Sequence, residues 1–251
     1  MNRILLEPHE VDPTGRARLS GRRAAHVFSV LNARPGDTVR VGLINGLRGQ
    51  AAVLCSESDR MELECTFEPS PAPRPGIDLI MALPRPKTLK RLYAAVASLG
   101  VDRWWLVNAA RVERNYFDTH VLDPGFIRER LVEGLEQSGD PHLPEVTVCR
   151  RLKPFLEDEL DALCPPPEVR CLFHPEAAGN VWDLHHSLAR QPRALLALGP
   201  EGGWVDYELE LFARCGFQSV RIGSGRILRC DTAAIAALSV VDELRTSASA
   251  V

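Results

Sequence analysis

The chain has 251 residues, of which 45% are hydrophobic and 25% charged, so it is long and apolar enough for one large domain or for a small domain joined to a medium one. Its formal net charge of −3 at pH 7 argues weakly against a nucleic-acid partner. No apolar run approaches the roughly 18 residues of a membrane helix and the N-terminus has no signal-peptide core, which excludes a membrane-spanning chain and predicts a cytoplasmic protein.

The first 70 residues predict a small β-rich domain. We predict a short helix over residues 26–32. We predict a turn at Arg34-Pro35-Gly36-Asp37, before a strand-like alternation over residues 38–43. Residues 50–55 and 61–67 repeat that alternation. Proline then recurs through residues 69–75, which removes hydrogen-bond donors and favours an extended backbone. We therefore predict a domain over residues 1–70 and a stiff linker at residues 71–76.

The remainder, residues 77–251, predicts an α/β domain. Apolar strand-like runs occupy residues 77–83, 104–107, 169–173, 194–198 and 219–222. Helical periodicity occupies residues 88–99, 124–137, 154–163, 206–215 and 232–244. Such alternation indicates a parallel sheet that is covered by helices on both faces.

A glycine-rich segment, Gly199-Pro200-Glu201-Gly202-Gly203-Trp204, follows the predicted strand 194–198 and precedes a helix that begins near Asp206. Glycines at the end of a strand let the backbone approach a ligand and present its N–H and C=O groups to it. The spacing is neither a GxGxxG motif nor a P-loop, and the same glycines could form an ordinary tight turn.

A second glycine-rich segment, Gly223-Ser224-Gly225, ends the predicted strand 219–222 and precedes Arg226-Ile227-Leu228-Arg229. Asp231 and Thr232 can cap the helix that follows. Two such strand ends could wall one pocket at the carboxyl edge of the sheet, where α/β proteins commonly bind ligands. The sequence therefore predicts the functional site there.

The cysteines and histidines do not indicate a metal site. The seven cysteines are scattered without a CxxC pair, and the seven histidines are dispersed. We interpret most of the cysteines as buried apolar thiols.

Basic residues are concentrated in the first half of the chain. Residues 1–48 carry eight arginines and four acids, and residues 71–130 carry ten basic side chains and six acids. Only three of the thirty basic residues are lysines, and the planar fork of arginine suits phosphates and bases. Charge alone leaves two interpretations open, namely RNA contact and a solvated face.

Taken together, these segments resemble the 16S ribosomal RNA (uracil(1498)-N(3))-methyltransferases of the SPOUT class. The two stretches similar to that family's signatures are Gly-Pro-Glu-Gly-Gly at residues 199–203 and Gly-Arg-Ile-Leu-Arg-Cys-Asp-Thr-Ala at residues 225–233. Further similar segments follow in the family's order over nearly the whole chain: Leu83-Pro84-Arg85-Pro86-Lys87, Arg111-Val112-Glu113-Arg114-Asn115-Tyr116, Leu135-Glu136-Gln137, Leu143-Pro144-Glu145-Val146 and His174-Pro175.

The resemblance implies a fold and partners that periodicity could not have suggested. It implies a PUA-like β-barrel that binds RNA over residues 1–70, and a SPOUT domain over residues 77–251 whose chain threads a trefoil knot. It further implies a homodimer with active sites at the subunit interface, S-adenosylmethionine as methyl donor, and no metal. The implied partner is 16S rRNA or the small ribosomal subunit.

The resemblance also implies where the methyl donor binds, although the chain departs from the family pattern nearby. Gly223-Ser224-Gly225-Arg226 is one residue longer than the family's Gly-Pro-Arg, Cys230-Asp231-Thr232 replaces Thr-Glu-Thr, and Asp140 stands where many members carry arginine. Carried over by position, the donor contacts are His174, Leu198, Gly199, Pro200, Glu201, Gly202, Ile222, Gly223, Ile227 and Leu228.

The implied chemistry indicates a catalytic role for Arg229. Uracil N3 attacks poorly while protonated, so an enzyme must help it lose the proton or stabilise the resulting anion. Arg229 suits the second task because a permanent positive charge beside O2 or O4 favours the anion, but it could instead pair with Asp231 or a phosphate. Asp231 and Glu201 are conceivable proton acceptors, although helix capping and loop ordering explain them as well. N3 methylation needs no thiolate adduct, so we interpret Cys230 as a small residue in a packed loop.

The predicted RNA contacts follow from charge and position. They are Arg16, Arg18, Arg22 and Arg23 in the first module, and Arg85, Lys87, Lys90 and Arg91 after the linker. The leading hypothesis is a methyltransferase acting on uridine N3 in 16S rRNA. Its alternatives are a SPOUT enzyme with another RNA target, an RNA-binding ribosome-assembly protein that lost the cofactor, and a nucleotide-binding α/β protein unrelated to RNA.

Overall fold

The computed structural model describes residues 3–165, 169–191 and 193–247. The chain forms two compact units, the first made of Met1–Arg74 with Leu131–Leu143 and the second of Pro75–Arg130 with Pro144–Val251. The domain bounds predicted from the sequence place residues 131–143 with the second domain instead, and those bounds stay a prediction.

Backbone hydrogen bonds explain why residues 131–143 belong with the first unit. The Arg3 N–H donates to the Glu136 carbonyl at 3.2 Å, and the Asn45 N–H donates to the Pro141 carbonyl at 2.8 Å. The Leu143 N–H in turn donates to Asn45 Oδ1 at 2.9 Å. Residues 131–143 are thereby hydrogen-bonded to Arg3 and Asn45, from which they are distant in sequence.

Between residues 4 and 67, the first unit contains a five-stranded sheet and the α-helix α1. Its elements are β1 (Ile4–Leu6), β2 (Arg16–Ser20), α1 (Gly21–Leu31), β3 (Thr38–Leu43), β4 (Arg48–Ser56) and β5 (Arg60–Phe67). The strand order is β1-β3-β4-β5-β2. The predicted strands over residues 38–43, 50–55 and 61–67 are confirmed, whereas β1 and β2 were not predicted. The PUA-like barrel stays a prediction.

The core of the first unit follows from alternation along its strands. In β2, Ala17 and Leu19 are buried, and the three residues that alternate with them, Arg16, Arg18 and Ser20, are exposed. These side chains pack with Met61 and Leu63 of β5 and with Ala24 of α1 in one apolar cluster. The alternation therefore leaves Arg16 and Arg18 on the opposite, solvent-facing side of the sheet.

The second unit contains a seven-stranded, entirely parallel sheet, in the order β10-β12-β9-β11-β6-β7-β8. Its strands are β6 (Ile77–Ala82), β7 (Arg103–Val107), β8 (Glu145–Cys149), β9 (Val169–Phe173), β10 (Gly179–Asn180), β11 (Ala194–Leu198) and β12 (Gln218–Arg221). Its helices are α2 (Pro86–Ser98), α3 (Pro124–Ser138, whose last turns belong to the first unit), α4 (Leu152–Pro154), α5 (Leu160–Leu163), α6 (His185–Arg190), α7 (Asp206–Arg214) and α8 (Cys230–Thr246).

The predicted α/β class, its five strands and its five helical regions are confirmed. The predicted helix over residues 154–163 is interrupted, because a π-helical turn at Phe155–Glu159 joins α4 to α5. Two strands and one α-helix of this unit, β8, β10 and α6, were not predicted. Every residue of β6 and β11 is buried, as expected for central strands of a parallel sheet.

The sheet topology determines where a site can form. Since all strands run parallel, the segments that follow them emerge at one edge. β12, β9 and β11 are neighbours in the sheet, so the segments after Phe173, Leu198 and Arg221 lie side by side. Helix α8 follows the last of these segments and packs against α2, α6 and β11.

A buried ion cluster lies at the amino end of the central strands. Asp78 in β6 is 0% exposed, and its Oδ1 accepts from Arg103 Nε at 3.0 Å and from Arg193 Nη2 at 2.7 Å. Arg193 Nη2 also lies 3.0 Å from Asp102 Oδ2. Because Arg103 begins β7 and Arg193 precedes β11, the cluster connects three adjacent strands.

Candidate active site

A cleft opens at the carboxyl edge of the parallel sheet, between the segments that follow β9, β11 and β12. Its volume is about 720 Å³, a value that includes the open solvent at its mouth. Eight of the ten residues predicted to contact a cofactor line it: His174, Leu198, Gly199, Pro200, Glu201, Ile222, Ile227 and Leu228.

The other two predicted residues, Gly202 and Gly223, do not line the cleft. A Cβ on Gly202 would lie 2.9 Å from Arg111 Cδ, and Arg111 donates a hydrogen bond to the Gly202 carbonyl. Gly202 is therefore needed for close packing against Arg111. Gly223 faces open space and has a φ of +56°, which suits it to a turn.

Several further residues line the cleft. The Gly202-Gly203 doublet could have suggested that Gly203 lines the cleft. The first turn of α8 could be placed in the cleft only once the fold was known. The residues that sequence patterns did not assign to the cleft are Phe173, Gly203, Trp204, Gly225, Arg226, Cys230 and Ala233; Pro175 also lines it.

The glycine-rich segment after β11 is held by two carboxylates. Glu208 is buried in α7, and its carboxylate accepts from the Ala110 N–H at 2.7 Å and the Val205 N–H at 3.0 Å. Glu201 Oε1 accepts from the Arg85 N–H at 3.1 Å. Glu201 therefore joins the segment after β11 to the one after β6.

The extra residue in the segment after β12 is contained in a closed turn. The Gly225 N–H donates to the Ile222 carbonyl at 3.2 Å, and Gly225 has a φ of +77°. A Cβ on Gly225 would lie 2.5 Å from the Pro175 carbonyl oxygen. Asn180 Nδ2 donates to the Gly223 carbonyl at 3.1 Å. The turn leaves residues 226–228 free to line the cleft.

Arg229 lies outside the cleft and lines an adjacent pocket. Its side chain is 72% exposed, and its Nε lies 3.3 Å from Asp231 Oδ1. The pairing of Arg229 with Asp231, which the sequence left open, is therefore present in the structure. Such an exposed ion pair contributes only about 0–1 kcal/mol to stability, so another anion can compete for Arg229.

Cys230 is a buried thiol at the start of α8. Its Sγ donates to the Gly199 carbonyl at 3.6 Å. Burial raises the pKa of Cys230 to about 12, and the carboxylates of Glu201 and Asp231 add to the rise. The thiol is therefore protonated at neutral pH, which agrees with our interpretation of Cys230 as a packing residue.

The arginines of the first unit face acidic neighbours. Arg16 and Arg18 on β2 lie opposite Glu64 and Glu62 on β5, and Arg18 Nε is 3.2 Å from Glu62 Oε1. Arg23 pairs with Glu10 and donates to the Leu5 carbonyl, so it helps to hold this unit together. The side chain of Arg22 lies outside the described part of the structure. RNA contact by these arginines stays a prediction.

The described residues offer neither a cluster of metal ligands nor a membrane-spanning helix. Among them, no group of three or more His, Cys, Asp and Glu side chains could hold a metal ion. Within the same ranges, no helix is both long and apolar enough to cross a membrane.

The fold and the cleft define a class of α/β proteins that bind a small ligand at the carboxyl edge of a parallel sheet. Comparison with known proteins narrows that class. Residues 70–242 match the model of the RNA methyltransferase domain family, and the chain belongs to this family.

Two relatives are similar in sequence to this chain along nearly its whole length. It is 32% identical over 251 residues to the ribosomal RNA small subunit methyltransferase E of Treponema pallidum, a match that covers 96% of this chain and 90% of that protein. It is 27% identical over 233 residues to the Mycobacterium tuberculosis protein of the same name, covering 91% and 86%.

Solved structures establish the fold. The ribosomal RNA small subunit methyltransferase E of Neisseria gonorrhoeae, bound to S-adenosyl methionine, aligns with a TM-score of 0.76 at 24% identity, over 97% of this chain and 98% of that chain. A Legionella pneumophila protein described as a putative methyltransferase, with bound cofactor SAM, aligns at 0.73 and 22% identity, covering 96% of each chain.

Proposed function

We propose that this chain is an S-adenosylmethionine-dependent methyltransferase that modifies N3 of a uridine, of the position 1498 type, in 16S ribosomal RNA. One observation carries the proposal. The segments similar to the family's two signatures lie together in one cleft, in a chain 32% identical to a ribosomal RNA small subunit methyltransferase E.

The residues of the cleft fit the methyl donor. Phe173, Leu198, Trp204 and Ile227 supply apolar surface for an adenine ring. Gly199 presents backbone at the wall, and a Cβ there would meet Trp204 Nε1 at 3.1 Å. When bound, S-adenosylmethionine supplies a methyl group that is already electrophilic. These residues therefore have to bind and orient the donor and exclude water from it.

Arg229 is the residue to which we assign stabilisation of the methyl-accepting uracil. Arg229 lines the adjacent pocket, which shares Ile227 and Leu228 with the cleft, and its guanidinium carries a permanent charge. A uridine at this point would receive positive charge near O2 or O4, which stabilises the anion formed when N3 loses its proton. Arg85 and Lys87 lie in the same pocket and are proposed to contact the RNA.

We also propose the domain roles and assembly that the resemblance implies. Residues 1–70 form a PUA-like RNA-binding barrel, residues 71–76 a linker, and residues 77–251 a SPOUT domain that works in the cytoplasm as a homodimer. Sedimentation of the purified protein tests the dimer.

Two measurements test the activity. Calorimetry should detect S-adenosylmethionine binding to the folded protein, and absence of binding would remove the enzymatic assignment. Mass mapping of small-subunit rRNA should find N3-methyluridine in cells with the gene and not in cells without it. Unchanged N3-methyluridine together with donor binding would indicate a different RNA target.

Replacing Gly225 by alanine should weaken donor binding about 10- to 100-fold. The alanine would have to adopt a positive φ, and its Cβ would lie 2.5 Å from the Pro175 carbonyl oxygen, so the turn must move. Calorimetric affinity is the measurement. Gly223→Ala is the matched control, because Gly223 also has a positive φ but has no neighbouring atom within 4 Å of the added Cβ. Equal losses in both variants would show that contact with Pro175 is not important.

Replacing Cys230 by alanine should change turnover by no more than about threefold, or about 0.7 kcal/mol. With the pKa of Cys230 raised to about 12, the thiol stays protonated at pH 8. The pH–rate profiles of the two proteins should therefore superimpose between about pH 7 and about pH 9. Loss of activity in a folded, donor-binding variant would support a nucleophilic thiol instead.

A further inference from the structure

A second pocket lies beside the cleft and shares Glu201, Ile227, Leu228 and Cys230 with it. It is a broad depression of about 1190 Å³, including its open mouth, and it is formed by the first turns of α2 and α8. Four cationic side chains line it: Arg85, Lys87, Arg91 and Arg229.

The charges around this pocket favour an anion. The acidic side chains that line it are Glu201 and Asp231, and Glu201 already accepts from the Arg85 N–H. Two helices of 13 and 17 residues also begin at the pocket, and each adds partial positive charge at its amino end. Four cations from two segments, residues 85–91 and Arg229, therefore face two carboxylates.

Asp231 holds two of the four cations. Its Oδ2 lies 3.0 Å from Arg91 Nη2, and its Oδ1 lies 3.3 Å from Arg229 Nε. Both arginines are more than half exposed, at 55% and 72%, so these pairs are weak and readily exchanged. A phosphate presents the same kind of oxygen acceptors to arginine as a carboxylate does.

We propose that this pocket binds a backbone phosphate of the RNA strand next to the methylated base, and that Asp231 is the counter-ion which the phosphate replaces. The proposal rests on the proposed function. The pocket shares Ile227 and Leu228 with the donor cleft, so one strand can place a base against the donor and a phosphate in the pocket. Release from Asp231 then leaves Arg229 available to the base.

The test compares two lysine variants in binding a fluorescein-labelled, uridine-containing single-stranded RNA of mixed sequence, at salt concentrations from about 50 to about 200 mM. Lys87→Gln should weaken RNA binding about three- to tenfold and lower the slope of log affinity against log salt by about 0.7, the value for one phosphate on a single strand. Lys153→Gln is the matched control, because Lys153 is exposed and pairs with Glu157 outside the pocket. Equal behaviour of the two variants overturns the proposal.

Asp231→Asn tests the exchange of partners. Removing the competing charge should strengthen RNA binding several-fold, while weaker binding in the folded variant would overturn the role given to Asp231. Inorganic phosphate, added at constant ionic strength, should displace the RNA only weakly. Tight phosphate binding that leaves RNA binding unchanged would identify an isolated anion site instead.

Donor affinity separates this proposal from the proposed function. Lys87→Gln and Asp231→Asn should bind S-adenosylmethionine within about twofold of the unsubstituted protein, about 0.4 kcal/mol. A larger loss would place the donor itself in the pocket and overturn the RNA assignment. If the unsubstituted protein binds no donor, the proposed function fails, whereas the comparison of Lys87 with Lys153 still decides whether the pocket binds RNA.

Discussion

Replacing Arg229 by alanine should lower turnover at least 100-fold, about 2.7 kcal/mol of transition-state stabilisation, and leave donor affinity within a few-fold. Arg229 lines the pocket and not the cleft, so its removal should leave the donor contacts in place. The loss arises because no fixed positive charge remains near the oxygen on which the uracil anion develops. Single-turnover methyl transfer at saturating RNA is the measurement, since it separates chemistry from RNA binding.

Two comparisons show whether Arg229 acts on the base or only on a phosphate. Arg229→Lys keeps the charge but loses the planar fork, and should recover part of the lost rate. Lys87→Gln removes a cation from the same pocket and should alter RNA affinity more than the rate at saturation. Near-normal turnover of Arg229→Ala would remove this residue from the catalytic assignment.

Replacing Asp78 by asparagine should destabilise the second unit by about 3–5 kcal/mol. Asp78 is fully buried, and Arg103 and Arg193 both bind its carboxylate. Asparagine has nearly the same shape but no charge, so two half-buried guanidinium groups would lose their shared partner. Urea unfolding monitored by tryptophan fluorescence measures the change, because Trp104 and Trp105 lie in β7 next to the cluster.

An exposed aspartate in the same unit provides the control. Asp161 pairs with Arg170 at 2.7 Å, but its side chain is 75% exposed. Asp161→Asn should therefore change the free energy of unfolding by less than about 1 kcal/mol. Similar values for the two variants would contradict the role assigned to the buried cluster.

The central strands of the second unit could be predicted because they are buried on both faces and consist of apolar runs. Ile77–Ala82 and Ala194–Leu198 are such runs. Glu145–Cys149 was missed because it is a partly exposed strand at the edge of the sheet, where polar residues interrupt the pattern. Gly179–Asn180 was missed because two residues are too few for a periodic signal.

The site could be predicted as far as the segments that form it, but not in their internal geometry. Glycines after two strands indicated the cleft correctly. Sequence patterns could not distinguish Gly202, which packs against Arg111, from Gly203, which lines the cleft. They also gave no sign that Glu208, on the following helix, holds the glycine-rich segment, because its partner Ala110 is distant in sequence.

The loop formed by Ile227 and Leu228 has a consequence for how the two proposed ligands act together. It is part of the wall that cleft and pocket share, and Ile227 is 88% exposed, so a molecule bound in either would cover and restrain it. Whatever factor RNA applies to donor affinity, the donor must apply to RNA affinity by thermodynamic linkage. Measuring either affinity with and without the other ligand therefore yields one and the same coupling free energy.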